Sequence, residues 1–332
     1  MIISLESSKA FKSCYAQELD EYLSLRKLEL SESGSIREEQ FLRRLDTYIY
    51  NHTKGRMALT NEFWQEWISR KSYEKANTQA KRVNATKKVI SFLQKRGVQA
   101  ESLRIELSHT QSDYVPYIFS DQEILAIFRA ADNYKSTSAS PFLHLSVPIT
   151  FRILYGCGLR VSELLHLKLE DVDMQSRTLY IENSKFNKSR YVPFSTSLST
   201  HIEQYMKARH NSSNSDSIFI SKSENRPYNS VAVHYWLMNI LYDAGIHHHG
   251  KGYGPRVHDF RHTFAVHSLR RFVMHGEDIT SVLPVLSAYL GHKDLRGTQS
   301  YLRLTTELYP YVTSALVKKY GNLIEGGKYN AD

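Results

Sequence analysis

A polar run from Ser108 to Asp113, followed by Val115-Pro116-Tyr117, divides this chain of 332 residues in two. The proline disfavours helix at the residue before it. Directly afterwards, Ser120-Asp121-Gln122-Glu123 reads as a capping box that opens a new helix through Ile124, Ile127 and Phe128. At roughly 150 residues per domain, the length has room for two. The expected domains are therefore 1–111 and 112–332. No internal repeat is visible, and the one low-complexity patch, Asn211-Ser212-Ser213-Asn214-Ser215, reads as a surface loop.

Before the break the pattern is helical. Phe41, Leu45 and Ile49 recur at helical spacing within Glu39 to Tyr50. Thr60 is placed to cap a short helix whose Phe63, Trp64, Trp67 and Ile68 share one side. The clearest helix runs from about Thr78 to Arg96, with Val83, Thr86, Val89, Ile90, Phe92 and Leu93 on its apolar side. Gly97 is placed to end it in a left-handed conformation.

Beyond the break, a helix is expected to start at Pro148, a residue suited to a first turn, and to reach the turn Gly156-Cys157-Gly158. A short helix follows from Val161 with Leu164, Leu165 and Leu167, so Arg160 sits where one helix hands over to the next. Thr178-Leu179-Tyr180-Ile181 and Arg190-Tyr191-Val192-Pro193 read as a hairpin, with Lys185 and Lys188 in its polar turn. Further helices are expected at about Leu198 to Arg209 and Ser230 to Tyr242. The fold class is thus mainly α with a small β-hairpin or sheet.

Charge then narrows the partner. A net charge of +9 favours a polyanion. It is unevenly spread: Arg70, Lys71, Lys75, Lys81, Arg82, Lys87, Lys88, Lys95 and Arg96 face the single acid Glu74 between positions 70 and 96. Such a run is either a solvated helical face or a phosphate-tracking surface. Cys14 and Cys157 lie in no metal or disulfide spacing, which fits a reducing cytoplasm. The N-terminus lacks a signal-peptide layout. The most apolar run, His144 to Leu159, is broken by Arg152 and too short for a bilayer. His247-His248-His249 has no spaced partner that would make it a metal site.

One stretch carries chemistry. Val257–Tyr301 holds His258, Arg261, His292 and Tyr301. An arginine fork matches phosphate oxygens, a histidine moves protons near neutral pH, and a tyrosine can attack to form a covalent intermediate. No P-loop, dinucleotide fingerprint or carboxylate cluster accompanies them.

Together with Arg160 and the hairpin lysine, these residues resemble the catalytic domain of the tyrosine recombinases, or phage-integrase family. The first box is Gly156-Cys157-Gly158-Leu159-Arg160-Val161-Ser162-Glu163-Leu164, the second His258-Asp259-Phe260-Arg261-His262-Thr263-Phe264-Ala265, and the third Leu290-Gly291-His292 with Tyr301 nine residues on. The likeness covers about residues 112 to 315 and extends more weakly to Asn77–Gly97, which is similar to the last helix of the family's core-binding domain. Two departures stand out. Lys185 is flanked by Ser184 and Phe186 where relatives often have a glycine, with Lys188 an alternative close by, and Phe260 replaces a common leucine.

The resemblance implies an N-terminal helical core-binding domain and an α-rich catalytic domain forming a C-shaped clamp on DNA. Tyr301 would displace the 5′-hydroxyl of a scissile phosphate, Arg160 and Arg261 would hold its oxygens, and His292 would add a hydrogen bond. Lys185 would be the general acid and His258 the proton partner of the tyrosine. Lys81, Arg82, Lys87, Lys88, Lys95 and Arg96 would meet DNA. No cofactor or metal is implied. The partners would be double-stranded recombination sites, held by a homotetramer on two duplexes that passes through a Holliday junction, with integration or excision of a mobile element the expected setting. The tail from Leu308 to Tyr320 is expected to dock on a neighbouring protomer or to fold back on its own. Two other readings stay open on the residues: a type IB topoisomerase, and a DNA-binding protein without catalysis.

Overall fold

A computed structural model describes residues 10–30, 32–53, 55–105, 115–138, 140–184, 188–210, 219–221, 226–250, 254–292, 296–309 and 314. The chain divides into two compact units, Met1–Tyr114 and Val115–Asp332.

The first unit packs α1 (Ala16–Glu29), α2 (Glu32–His52), α3 (Asn61–Ile68) and α4 (Ala76–Lys95) around one core. The apolar side expected for α4 is the buried one, with Val83, Thr86, Val89, Ile90 and Leu93 turned inward, and Gly97 follows it at φ +79°. Thr60 caps α3 by accepting from the Phe63 amide at 3.4 Å. The buried Asp46 carboxylate accepts the amides of Lys12 and Ser13 at 2.7 and 2.9 Å, tying the entry of α1 to α2. Helix α1 had no clear sequence signal. Its apolar residues follow no strong helical period, and only Leu19, Tyr22 and Leu23 are buried along it.

The second unit runs α5 (Asp121–Asp132), α6 (Leu143–Cys157), α7 (Val161–Leu165), β1 (Val172–Asp173), β2 (Thr178–Ser184), β3 (Lys188–Pro193), α8 (Thr196–His210), β4 (Ile220–Ser221), β5 (Arg226–Pro227), α9 (Ser230–Asp243), α10 (Asp259–Met274), α11 (Ile279–Leu290) and α12 (Arg296–Leu308). The capping box of α5 forms as expected: Ser120 Oγ accepts from the Glu123 amide, and Glu123 accepts from the Ser120 amide. The expected hairpin is part of a three-stranded antiparallel sheet in the order β1-β2-β3, and β4 pairs with β5 separately. Pairing sets Leu179 against Val192 and Ile181 against Arg190. Residues two apart share a face. Arg190 therefore lies on the inner face with the buried Val192, while Tyr180 and Tyr191 meet at 5.1 Å on the outer one.

One expectation is corrected here. Helix α6 begins at Leu143, so Pro148 lies inside it rather than in its first turn. The missing amide removes one hydrogen bond, a cost of about 3 kcal/mol in an exposed helix. Here nine side chains of α6, from Leu143 to Cys157, are buried, and that packing holds the helix together across the proline.

Helix α10 is the central strut, packed against α6, α11 and α12. Phe260, fully buried, sits between Phe119 at 4.9 Å and Phe151 at 5.3 Å. A phenylalanine suits this aromatic nest, and its burial stabilises by about 2–3 kcal/mol.

Candidate active site at the end of α11

The site is built on helix ends. Helix α6 stops at Gly158, which takes φ +59°, and a Cβ there would lie 2.5 Å from Phe264 Cδ1. The turn delivers Arg160 as the residue before α7. Helix α11 stops at Gly291, φ +65°. A helix leaves its last carbonyls without internal partners and carries partial negative charge at that end. Three arginines from three different elements answer this. Arg190 Nε donates to Tyr289 O at 2.7 Å, Arg261 Nη2 to Leu290 O, and Arg160 Nη2 to Gly291 O at 3.3 Å. Arg261 also donates from Nη1 to Gly158 O at 2.9 Å, joining the ends of α6 and α11.

Arg261 is 1% exposed. Burial and then the charge of Arg160 pull its pKa down to about 10, so it stays charged at neutral pH. The counter-charge for its neighbours is Glu163. That carboxylate takes both terminal nitrogens of Arg190, at 3.0 and 3.1 Å, and Arg160 Nη1 at 2.6 Å. Burial pushes its pKa up, but the arginines more than reverse this and bring it to about 2. Arg160 is thus paired with Glu163, and it still borders the site.

His292 follows Gly291, and its Nδ1 meets Thr298 Oγ1 at 2.9 Å. Burial, followed by Arg261 and Arg160, lowers its pKa to about 4. Tyr301, on α12, is only 4% exposed and its ring stacks on His292 with centroids 5.9 Å apart. Its hydroxyl meets His262 Nδ1 at 2.9 Å. Burial raises the hydroxyl pKa, opposed by Arg261 and Arg160. His262 is pulled down to about 3, chiefly by burial and then by His258, Arg261 and His292. His258 is exposed at the start of α10, its ring perpendicular to that of His262 at 4.7 Å.

Arg160, Arg261, His292 and Tyr301 are therefore brought together, with His258 at the edge. Lys185 lies outside the described residues, as does the side chain of Lys188, whose backbone pairs with Ser184. Sequence reasoning missed Arg190 and the part played by His262. The inward register of Arg190 beside Val192 was the available signal for the first. For the second there was only its adjacency to Arg261.

In the first unit, Lys81, Lys88 and Lys95 are exposed on α4 and Lys87 is half-buried. Arg82 is held by Glu74, at 2.6 Å, and by Ser69 O, at 3.0 Å. Arg96 pairs with Glu21 and lies over Phe92. Among the described residues, no group of three or more His, Cys, Asp or Glu is placed to hold a metal, and no helix is long and apolar enough to cross a membrane.

The profile of the phage integrase family matches residues 118–307, more than half of the chain. The chain belongs to the phage integrase family. Within this family, it is 31% identical over 219 residues to the tyrosine recombinase XerA of Pyrococcus horikoshii, covering 65% of this chain and 67% of that protein. It is 29% identical over 313 residues to the y4rB protein of Sinorhizobium fredii, covering 89% and 95%. Its fold is similar to that of the XerH site-specific recombinase bound to difH substrate, with TM-score 0.64 at 15% identity over 92% of this chain and 85% of that one. It is similar also to the Tn1549 transposon integrase in complex with a circular intermediate DNA, with TM-score 0.64 at 16% identity over 87% and 94%. The three boxes of this family member thus fall on the ends of α6, α10 and α11 and on α12.

Proposed function

We propose that this chain is a site-specific DNA recombinase that cleaves and rejoins strands through a 3′-phosphotyrosyl link at Tyr301. The meeting of Arg160, Arg261, His292 and Tyr301 at the end of α11 carries the reading. Each arginine has five donors. With two spent by each, on Glu163 and Gly291 O by Arg160 and on Gly158 O and Leu290 O by Arg261, both retain N–H groups for the non-bridging oxygens of a phosphodiester. Their positions are set before substrate arrives, and such preorganised charge stabilises the developing pentacoordinate state. His292, fixed through Nδ1, would add a hydrogen bond from Nε2.

Tyr301 Oη attacks phosphorus as its proton leaves, the bond to O5′ breaks, and Lys185 protonates the departing oxygen. His258 is the proton partner that the family resemblance suggests for Tyr301. Reversal by a 5′-hydroxyl of a second duplex completes exchange. Conserving the phosphoester in the tyrosyl link removes any need for a nucleotide cofactor. Four protomers on two duplexes, a cytoplasmic setting, and integration or excision of a mobile element belong to the same reading. Double-stranded DNA as partner is supported by the DNA complexes of XerH and of the Tn1549 integrase. The first unit serves as the core-binding domain. The tail assigned to docking falls almost wholly outside the described residues.

The test is incubation with nicked suicide duplexes taken from the ends flanking its gene. A covalent adduct that disappears in Tyr301→Phe, with junction products from two duplexes, is expected. Adduct without junctions would point to a topoisomerase, and binding without adduct to a non-catalytic protein.

A further inference from the structure

Resting on the recombinase reading, we infer that His262, and not His258, is the base that takes the proton of Tyr301 during cleavage. The geometry is direct. The nucleophile is only 4% exposed, so bulk water is a poor acceptor, whereas His262 Nδ1 stands 2.9 Å from the hydroxyl. A general base must lie within about 2.6–3.2 Å of the proton it receives. The ring is held by the backbone of α10, one residue beyond Arg261, so base and phosphate clamp are rigidly linked in one helical turn. The Arg261 fork and the His262 ring are thereby aimed from the same turn.

The groups facing the His262 ring are His258 and Arg261 on its own helix, His292 beyond α11, and Tyr301 on α12. Burial first, and then His258, Arg261 and His292, keep the imidazole neutral; with its proton on Nε2, Nδ1 is the lone-pair acceptor that the proposed transfer uses. A phosphodiester bound by Arg160 and Arg261 brings negative charge that offsets the cations lowering its basicity. In the forward step the O–H bond of Tyr301 breaks, its proton goes to Nδ1, and Oη bonds to phosphorus. The bond from phosphorus to O5′ breaks, and that oxygen is protonated by a separate acid. In the reverse step the imidazolium returns its proton to the tyrosyl oxygen as it leaves.

The test uses the full-length protein on the suicide duplex and on the same duplex with sulfur replacing the bridging 5′-oxygen. A thiolate leaves without a proton, so the second substrate removes the need for an acid but not for a base. His262→Gln is expected to form adduct about 100-fold more slowly than wild type. It should lose the acid limb of the pH–rate profile and gain nothing from the sulfur substrate. His258→Gln should keep the acid limb. Duplex binding and the unfolding midpoint check that His262→Gln is folded, and His262→Asn supplies a second variant if it is not. Wild-type cleavage by a folded His262 variant, an intact acid limb, or rescue by sulfur would each overturn the assignment. Absence of any Tyr301-dependent adduct in the wild-type protein would overturn the recombinase reading instead.

Discussion

Glu163 on α7 receives both terminal nitrogens of Arg190 on β3, at 3.0 and 3.1 Å, although 27 residues separate them. The pair fastens the sheet to the turn that carries Arg160, and Arg190 continues to the end of α11 through Tyr289 O. Replacing the carboxylate with an amide leaves two half-buried guanidinium groups, those of Arg160 and Arg190, without their counter-charge. Glu163→Gln is expected to cost on the order of 3 kcal/mol in urea denaturation and to slow adduct formation. In a double-mutant cycle with Arg190→Gln, the combined loss should fall short of the sum. Strict additivity would show that the pair is not coupled.

Two glycines separate backbone strain from steric conflict. Gly97 and Gly158 both take positive φ, but a Cβ at Gly97 meets open space, whereas one at Gly158 meets Phe264 at 2.5 Å. Gly97→Ala should cost about 1 kcal/mol for the conformation alone. Gly158→Ala should cost clearly more and impair cleavage, because Gly158 O holds Arg261. Equal losses in denaturant titration would contradict this account.

Acid should weaken the second unit. His262, His267 and His292 have pKa values lowered to about 3, 4 and 4, in each case first by burial. The unfolded chain, with histidines near 6.5, therefore binds protons that the folded one refuses. The stabilising contribution is fully present above about pH 6.5 and declines as pH falls toward 4. Each histidine contributes at most on the order of 3–5 kcal/mol. His267 is the cleanest probe, since it lies away from the phosphate clamp and meets Tyr155 and Tyr309 at 2.9 and 3.1 Å. Urea midpoints measured from pH 7.5 to 5 should fall, and less steeply in His267→Gln.

On α4, Lys81, Lys88 and Lys95 are spaced seven apart, which returns almost to the same angle on a helix. They form an exposed row opposite the buried face. If the row tracks DNA phosphates, changing all three to alanine should reduce the slope of log affinity against log salt by up to about 3, at ~0.9 per contact. Arg82→Ala should act mainly through stability, because Glu74 and Ser69 already hold that side chain. An unchanged salt slope in the triple variant would remove the row from the DNA interface.

The amphipathic helices, the capping box at Ser120, the hairpin and the identities of Arg160, Arg261, His292 and Tyr301 were legible in the amino-acid order alone. Each rests on a period or a spacing of a few residues, which local backbone geometry turns directly into a face or a turn. Other features had no such signature. Helix α6 runs through Pro148 because packing outweighs one lost hydrogen bond. Arg190, Arg261 and Arg160 gather at three successive carbonyls of α11, and Tyr301 faces His262 across 39 residues. Those contacts exist because α6, α11 and α12 all pack on α10, bringing unlike helix ends and one strand to a single point. Periodicity records only how a residue lies within its own element. What meets at the end of α11 was decided by the packing of one element on another.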